Sequence, residues 1–465
     1  MQSDFEKNLK ILEQNRNILV LGSGGTGKST LIRAFIERHP ELKIITCAPT
    51  HTAAINIEGT TVHQLFSVPI PAYGRNLSDV PKYTIDTLRK ADIVIIDEIS
   101  MCRNDTFAFA TKVLAKVNRM KKNRTRLICC GDFYQLPPVV KKSEQKLMNR
   151  FGLDISGFPF TTKEWADLKF RVVELTKIYR QDNREMIENL NKIRDGDTSG
   201  LWYFDRFTTA KKELPSEEVI CICGTNAEAD KINTERINQL SSLPVAYQAT
   251  TIGRVTNLPV DRLIMLKTEE RVMFTANDYC ADSKFQNGLM GTIVSTYCDH
   301  VVVWTDDGRE VVVWPYTWKL YTYRADGTSL IKKEVGEISQ IPLRSAWAIT
   351  IHKAQGKTFD RAVIAPKSFA PGQLYVALSR VTSPEGLFLT ESIKDEYVKT
   401  SPEVIRFIKN KYEWKNARAM KMPSGSKKKK SSKRTAARSS SKKQKTKSRT
   451  KGTHQKKNGV TAISG

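Results

Sequence analysis

Nowhere in the 465 residues do about eighteen apolar residues run together, so the sequence offers no candidate membrane-spanning helix. The opening "MQSDFEKNLKIL" lacks the basic start, apolar centre and small-residue cleavage site of a secretory signal, and a soluble, intracellular chain is expected. Cysteine is sparse and unpatterned. None of the eight falls in Cys-x-x-Cys spacing, which argues against a zinc site and predicts reduced thiols, mostly buried in strands. The Asn/Thr-Lys-x-Asp motif of guanine readers is missing as well, which argues against a GTPase. Acidic residues are absent from Lys421 to Gly465, a segment holding thirteen Lys and three Arg.

The net charge is +26, and removing that segment's sixteen cations still leaves about +10 on the rest. Both parts favour a polyanion, because each Lys or Arg that neutralises a phosphate releases condensed counterions. Nucleic acid is the leading candidate partner, and an anionic membrane surface is second.

The length suits about two to four domains. Apolar runs recur at Asn17–Leu21, Leu42–Thr50, Asp92–Glu98 and Thr125–Asp132, with helical stretches between them. Continuous rather than alternating apolar residues suit strands covered on both faces, so a parallel sheet is expected over residues 1–170. A Pro-rich excursion at about 66–90 interrupts it. A second α/β series begins at Arg171 and continues through Glu218–Asn226, Arg361–Ala365 and Gly386–Thr390. Within it, 278–340 turns β-rich with hairpin signals "DDG" and "ADG", which predicts an inserted small β-barrel between 171–277 and 341–420. Residues 421–465 have almost no apolar side chains and are expected to be disordered.

The segment "GSGGTGKST" follows a strand and opens a helix, the context a phosphate-binding loop requires. Gly22, Ser23, Gly24, Gly25, Thr26, Gly27 and Thr30 supply loop backbone, Lys28 reaches the β/γ-phosphates, and Ser29 is the candidate Mg²⁺ ligand. At "IIDE" an apolar strand ends in two carboxylates. Asp97 is placed to hold Mg²⁺ through its water shell and Glu98 to polarise the attacking water. Farther on, Arg180 in "ELTKIYRQD" and Arg380 in "YVALSRV" are candidates to reach a γ-phosphate across a cleft, which would tie hydrolysis to domain closure.

With these stand further blocks in order: "APTHTAA", "GTTVHQLF", "IIDEISM", "CGDFYQLPPV", "ELTKIYRQ", "LNKIRDG", "TNAEADKIN", "FQNGLMGTI", "AWAITIHKAQGKTFD" and "GQLYVALSRV". The sequence resembles the superfamily-one type-B, 5′-to-3′ DNA helicases. It is most similar to the PIF (petite integration frequency) helicase family and more distantly similar to RecD and Dda. The resemblance implies an α/β fold of two RecA-like P-loop NTPase domains and an ATP- and Mg²⁺-dependent motor on single-stranded and forked DNA. It gives Gln135 a γ-phosphate-sensing role, makes Arg180 and Arg380 arginine fingers, and sets Gln355 and Gly356 beside the nucleotide edge. It further implies DNA contacts by Pro49, Thr50, His63, Asn226, Thr350, His352 and Lys353, with Phe66 available to stack a base, and a strand-separating pin at 66–90.

The glutamine that would read adenine upstream of Gly22 is not evident, Phe5 standing where it is expected, and almost no domain precedes the motor. The basic tail reads as a nuclear-import signal centred on Lys427–Arg434, a DNA tether, or a solvated end. A monomer is expected, in the nucleus or at a viral replication site. An RNA helicase, a translocase that does not unwind, and a basic DNA-packaging protein with a relic nucleotide site remain as alternatives.

Overall fold

The computed structural model describes residues 2–209, 219–253, 260–277, 285–326 and 329–412. The Lys/Ser-rich tail over 421–465 lies outside the described residues, as does the expected barrel start at Asp278.

Six parallel strands build the first sheet: β1 (Ile18–Gly22), β2 (Ile44–Ala48), β3 (Thr60–Thr61), β4 (Ile93–Ile96), β5 (Arg126–Gly131) and β6 (Arg171–Leu175), in the order β3-β2-β4-β5-β1-β6. Their continuous apolar runs have a direct cause, since both faces are covered. Ile18 and Val20 pack with Leu9 and Leu12 of α1 (Gln2–Leu12) and with Leu31 and Phe35 of α2 (Lys28–Arg38), whereas Leu19 and Leu21 pack with Phe107 and Val113 on the other face. No helix among the described residues is long and apolar enough to cross a membrane.

The segment Arg171–Leu175, expected to open the second domain, is instead the edge strand of the first sheet, paired along its length with β1. A short connector then leads to helix Arg184–Asp195, whose Met186, Leu190 and Ile193 belong to the second core. The second sheet orders Ala348–Thr350, Ile220–Cys223, Ala362–Ile364 and Leu387–Leu389, all parallel.

Between helix Asn226–Gln239 and strand Ala348–Thr350 lies a β-rich insert wider than 278–340, because strands already occur at Val245–Gln248, Thr250–Gly253, Leu263–Leu266 and Arg271–Phe274. The last of these is buried throughout, so its sequence lacks the alternation of a hairpin strand. The described strands form sheets of five, three and two. A long ribbon, Tyr316–Asp326 against Ser329–Gln340, reaches the first domain. There Tyr323 enters the core, its hydroxyl lies 3.2 Å from that of Thr46, and its carbonyl accepts from the Thr87 hydroxyl at 3.2 Å.

The end of the described chain also crosses over. Helix Pro402–Lys409, expected within the second domain, places Val404 and Phe407 in the first domain's core. Phe407 stacks on Phe160 at 4.2 Å and meets Phe133 edge-on at 5.5 Å. Just beyond it, the Tyr412 hydroxyl donates to Glu174 of β6.

Candidate active site

Parallel strands bring their carboxyl ends to one edge, where β1 delivers the glycine loop, β4 delivers Asp97 and Glu98, and β5 leads into Asp132 and Gln135. Gly25 and Gly27 have φ of 81° and 79°, the left-handed region that glycine enters without Cβ strain. Thr26 Oγ1 donates to the Ser23 carbonyl at 2.9 Å, and Lys28 Nζ donates to the carbonyls of Gly22 and Ser23, both at 2.9 Å. The lysine is thus held over the loop by two neutral acceptors. Ser29 and Thr30 lie exposed on the first turn of α2.

Glu98 sits at φ 49° and ψ 44°, a left-handed conformation unusual for a glutamate, and its N–H donates to Asp97 Oδ1 at 2.9 Å. Burial raises the Asp97 carboxyl above its ordinary range, partly offset by that N–H. Burial and then the Asp97 charge push Glu98 up to about 7, against the pull of Lys28 and Arg380.

Opposite the loop stand the two arginines. A Cβ on Gly24 would lie 3.0 Å from Arg180 Nη1 and 3.1 Å from Arg380 Nη2, and one on Gly25 would lie 2.5 Å from Arg180 Cβ. A side chain at Gly24 would press on both guanidiniums, and one at Gly25 would collide with the Arg180 stem. Arg180 belongs to the connector and Arg380 follows the second-domain helix Gln373–Leu378, whose Val376 carbonyl accepts from Arg380 Nε at 2.8 Å. Burial and then the neighbouring Arg180 pull Arg380 down to about 9. Such a pair of cations out of water is stabilised by an anion between them and the loop.

Gln355 also spans the domains. Its Nε2 lies 3.4 Å from Glu98 Oε2 and 3.2 Å from Gln135 Oε1, while its own Oε1 is buried with no hydrogen-bond partner among the described residues. Gly356 follows at φ 81°. Sequence reasoning missed the network beneath. Gln135 Nε2 donates to Asp132 Oδ2 at 3.2 Å, Arg194 Nη2 donates to Asp132 Oδ1 at 3.3 Å, and the Tyr375 hydroxyl accepts from the Gly24 N–H at 3.3 Å. Asp132 closes the block "CCGD" at a strand end just as Asp97 closes "IIDE", and that pattern could have flagged it.

The DNA-facing candidates fall into separate groups. Thr50 and Thr350 cap short helices, accepting from the N–H groups of Ala53 at 3.2 Å and Lys353 at 3.3 Å, and Pro49 leads into the first of these. Asn226, His352 and Lys353 are exposed. His63 is half-buried, with Nε2 3.5 Å from Thr106 Oγ1, and borders a cleft of about 1370 Å³ between the first domain and the insert. Phe66 does not fit its expected part. It is 1% exposed in the first core with Val62 and Leu65, so its ring is unavailable to a base.

The family model described as PIF1-like helicase matches residues 6–200. The crystal structure of a Bacteroides sp Pif1 in complex with ADP-AlF4 is 32% identical, covers 88% of this chain and 96% of that one, and superposes with a TM-score of 0.79. This chain belongs to the PIF1-like helicase family. It is also 28% identical over 444 residues to the ATP-dependent DNA helicase Pif1 of Campylobacter jejuni, covering 87% of this chain and 97% of that protein. Against Bacteroides Pif1 bound to ssDNA, at 33% identity and the same 88% and 96% coverage, the TM-score is 0.63. The fold described here therefore lies nearer the ADP-AlF4 Pif1 structure than the ssDNA-bound one.

Proposed function

We propose that this PIF1-like helicase couples ATP hydrolysis to 5′-to-3′ movement on single-stranded DNA and to separation of duplex and forked DNA, in replication, repair or recombination. The observation that carries the reading is the convergence of Arg180 and Arg380 on Gly24 of the phosphate loop. Residues from beyond the first sheet complete a nucleotide site that the first domain begins, so the site is whole only when the two domains meet.

The side chains fit a Mg²⁺-nucleotide. Two guanidiniums crowd each other beside the loop, the buried Gln355 Oε1 lacks a donor among the described residues, and Lys28 rests on neutral carbonyls it can exchange for phosphate. Ser29 and Asp97 offer the oxygen donors that a cation shared with the substrate's own phosphates would take. Bound ATP and Mg²⁺ supply the phosphoanhydride and the charge neutralisation that its cleavage needs. Glu98, with its carboxyl near neutrality, accepts a proton from the attacking water, Arg180 and Arg380 stabilise charge on the transferred phosphoryl group, and Gln135 and Gln355 register its presence.

On the strand side, Thr50, His63, Asn226, Thr350, His352 and Lys353 offer hydroxyl, imidazole, amide and ammonium groups to phosphates without reading bases, and Pro49 shapes the approach. Alternating grip by the two domains as the cleft closes and reopens gives net movement. Direction follows the family. In the 66–90 excursion Ile70 is 82% exposed, a suitable apolar tip for parting base pairs. The protein acts as a monomer in the nucleus, its basic tail offering an import-receptor signal and a DNA tether. The test is ATP hydrolysis with and without single-stranded DNA or RNA. Stimulation by DNA over RNA, lost in Lys28→Ala, is expected, and a Lys28→Ala protein hydrolysing at the wild-type rate would overturn the assignment.

A further inference from the structure

Gln355, which touches both Glu98 and Gln135, is followed two residues later by a lysine that the nucleotide chemistry does not use. Lys357 is half-buried, and its backbone is held at both ends. Its N–H donates to the Ala354 carbonyl at 3.0 Å, and its carbonyl accepts from Arg380 Nη1 at 3.3 Å. Its side chain leaves the nucleotide site altogether, and Nζ donates to Asn287 Oδ1 in the β-rich insert.

Asn287 is itself fixed, its N–H donating to Asn277 Oδ1 at 2.7 Å, and both asparagines border the cleft that also holds His63 of the first domain. Gly288 beside it has φ 102°, and a Cβ there would lie 4.0 Å from Lys357 Cβ, so the insert passes close against the lysine stem. A continuous path thus runs from Glu98 through Gln355 and Gly356 to Lys357, and on to Asn287 at the cleft. A half-buried ammonium in a charge-assisted hydrogen bond is a directional strut, and losing either partner leaves the other poorly satisfied.

We propose that Lys357 is a positioning residue that couples the nucleotide site to the β-rich insert through its side-chain bond to Asn287. The inference rests on the reading of the chain as a DNA-stimulated ATPase and deepens it. When Gln355 shifts with the state of Glu98 and Gln135, the Lys357 ammonium carries that shift to the insert at the cleft edge, and DNA in the cleft acts back along the same strut. Because Arg380 meets Lys357 through the backbone carbonyl and is also held by Val376 and Ser379, removing the ammonium leaves the arginine's support in place.

The experiment measures ATP hydrolysis of the full chain, without DNA and at saturating single-stranded oligonucleotide, for wild type, Lys357→Met, Asn287→Ala and the double variant, with Lys357→Arg as the conservative control. Wild type that shows no DNA stimulation would refute the underlying reading, not the strut. Given stimulation in the wild type, Lys357→Met is expected to keep its basal rate and KM for ATP while its DNA-stimulated kcat falls about 10- to 100-fold, as for loss of a charged hydrogen bond. Lys357→Arg should restore most of the stimulation, and the double variant should be no worse than the poorer single variant. Full stimulation in Lys357→Met, an equal fall in basal and stimulated rates, or losses that multiply in the double variant would each overturn the proposal.

Discussion

Gln355 of the second domain and Glu98 of the first approach within 3.4 Å, in a site where Arg380 and Tyr375 of the second domain also meet the first domain's phosphate loop. The same amide nitrogen lies 3.2 Å from Gln135 Oε1, so one side chain from the second domain touches both first-domain groups expected to respond to a terminal phosphate. A neutral amide there changes hydrogen-bond partners at little electrostatic cost, which suits a contact that forms and breaks in each cycle.

Glu98→Gln should lower kcat by about 10²- to 10⁴-fold, the usual span for loss of a general base, while nucleotide binding persists. Since burial and Asp97 raise the Glu98 carboxyl from 4.5 to about 7, kcat/KM for the wild type should climb as pH rises through about 7. The stability sign is the reverse. A carboxyl raised in the folded state is protonated below its folded value and destabilises once ionised, so stability falls between about 4.5 and 7. Glu98→Gln should therefore melt higher than wild type at pH 8 in the absence of nucleotide, as differential scanning fluorimetry would reveal.

Arg180→Met removes one of two crowded guanidiniums whose own protein bond is a long one, 3.4 Å to the Ser379 carbonyl. The turnover number should fall about 10³-fold, in line with arginine fingers elsewhere. The melting temperature of the nucleotide-free protein should hold or rise, because like-charge repulsion with buried Arg380 is relieved. A large fall in melting temperature would make Arg180 a structural residue.

Lys353→Ala should weaken single-stranded DNA binding by a similar factor for all sequences. The slope of log K against log salt should become shallower by about 0.7, one phosphate contact on a single strand. Phe66→Leu is the internal contrast. With its ring in the core, the change should leave the salt slope untouched and appear only in thermal stability.

Phe407→Ala should cost about 3–5 kcal/mol, the range for deleting a buried aromatic, by removing the stack on Phe160 and the edge contact with Phe133. Limited proteolysis should then release the Pro402–Lys409 helix while the second core, built without it, stays resistant.

The parts of the site legible from sequence share one property: their chemistry lies in contiguous residues. "GSGGTGKST" needs only its own glycines to make the loop, and "IIDE" only a buried strand to carry two acids to its end. What stayed hidden depends on partner choice across the chain. Nothing within Arg171–Leu175 says that it pairs with β1, and nothing within Pro402–Lys409 says that its apolar face crosses to Phe160. Phe66 is expected to stack a base because it stands near His63 in sequence, yet its ring packs into the core with Val62, one turn back, and with Val68. Asp132, Arg194 and Tyr375 meet only after both domains have folded. Of the insert's upstream strands, Arg271–Phe274 was obscured because full burial erases the alternation by which a hairpin is read.

The most direct measurement is unwinding of forked duplexes that carry a single-stranded tail of one polarity, with ATP as the only energy source. Strand separation of the substrate with a 5′ tail, abolished by Lys28→Ala and weak on the 3′-tailed substrate, is the result predicted. ATP-independent separation, preference for the 3′ tail, or DNA-stimulated hydrolysis with no strand separation on either substrate would contradict it.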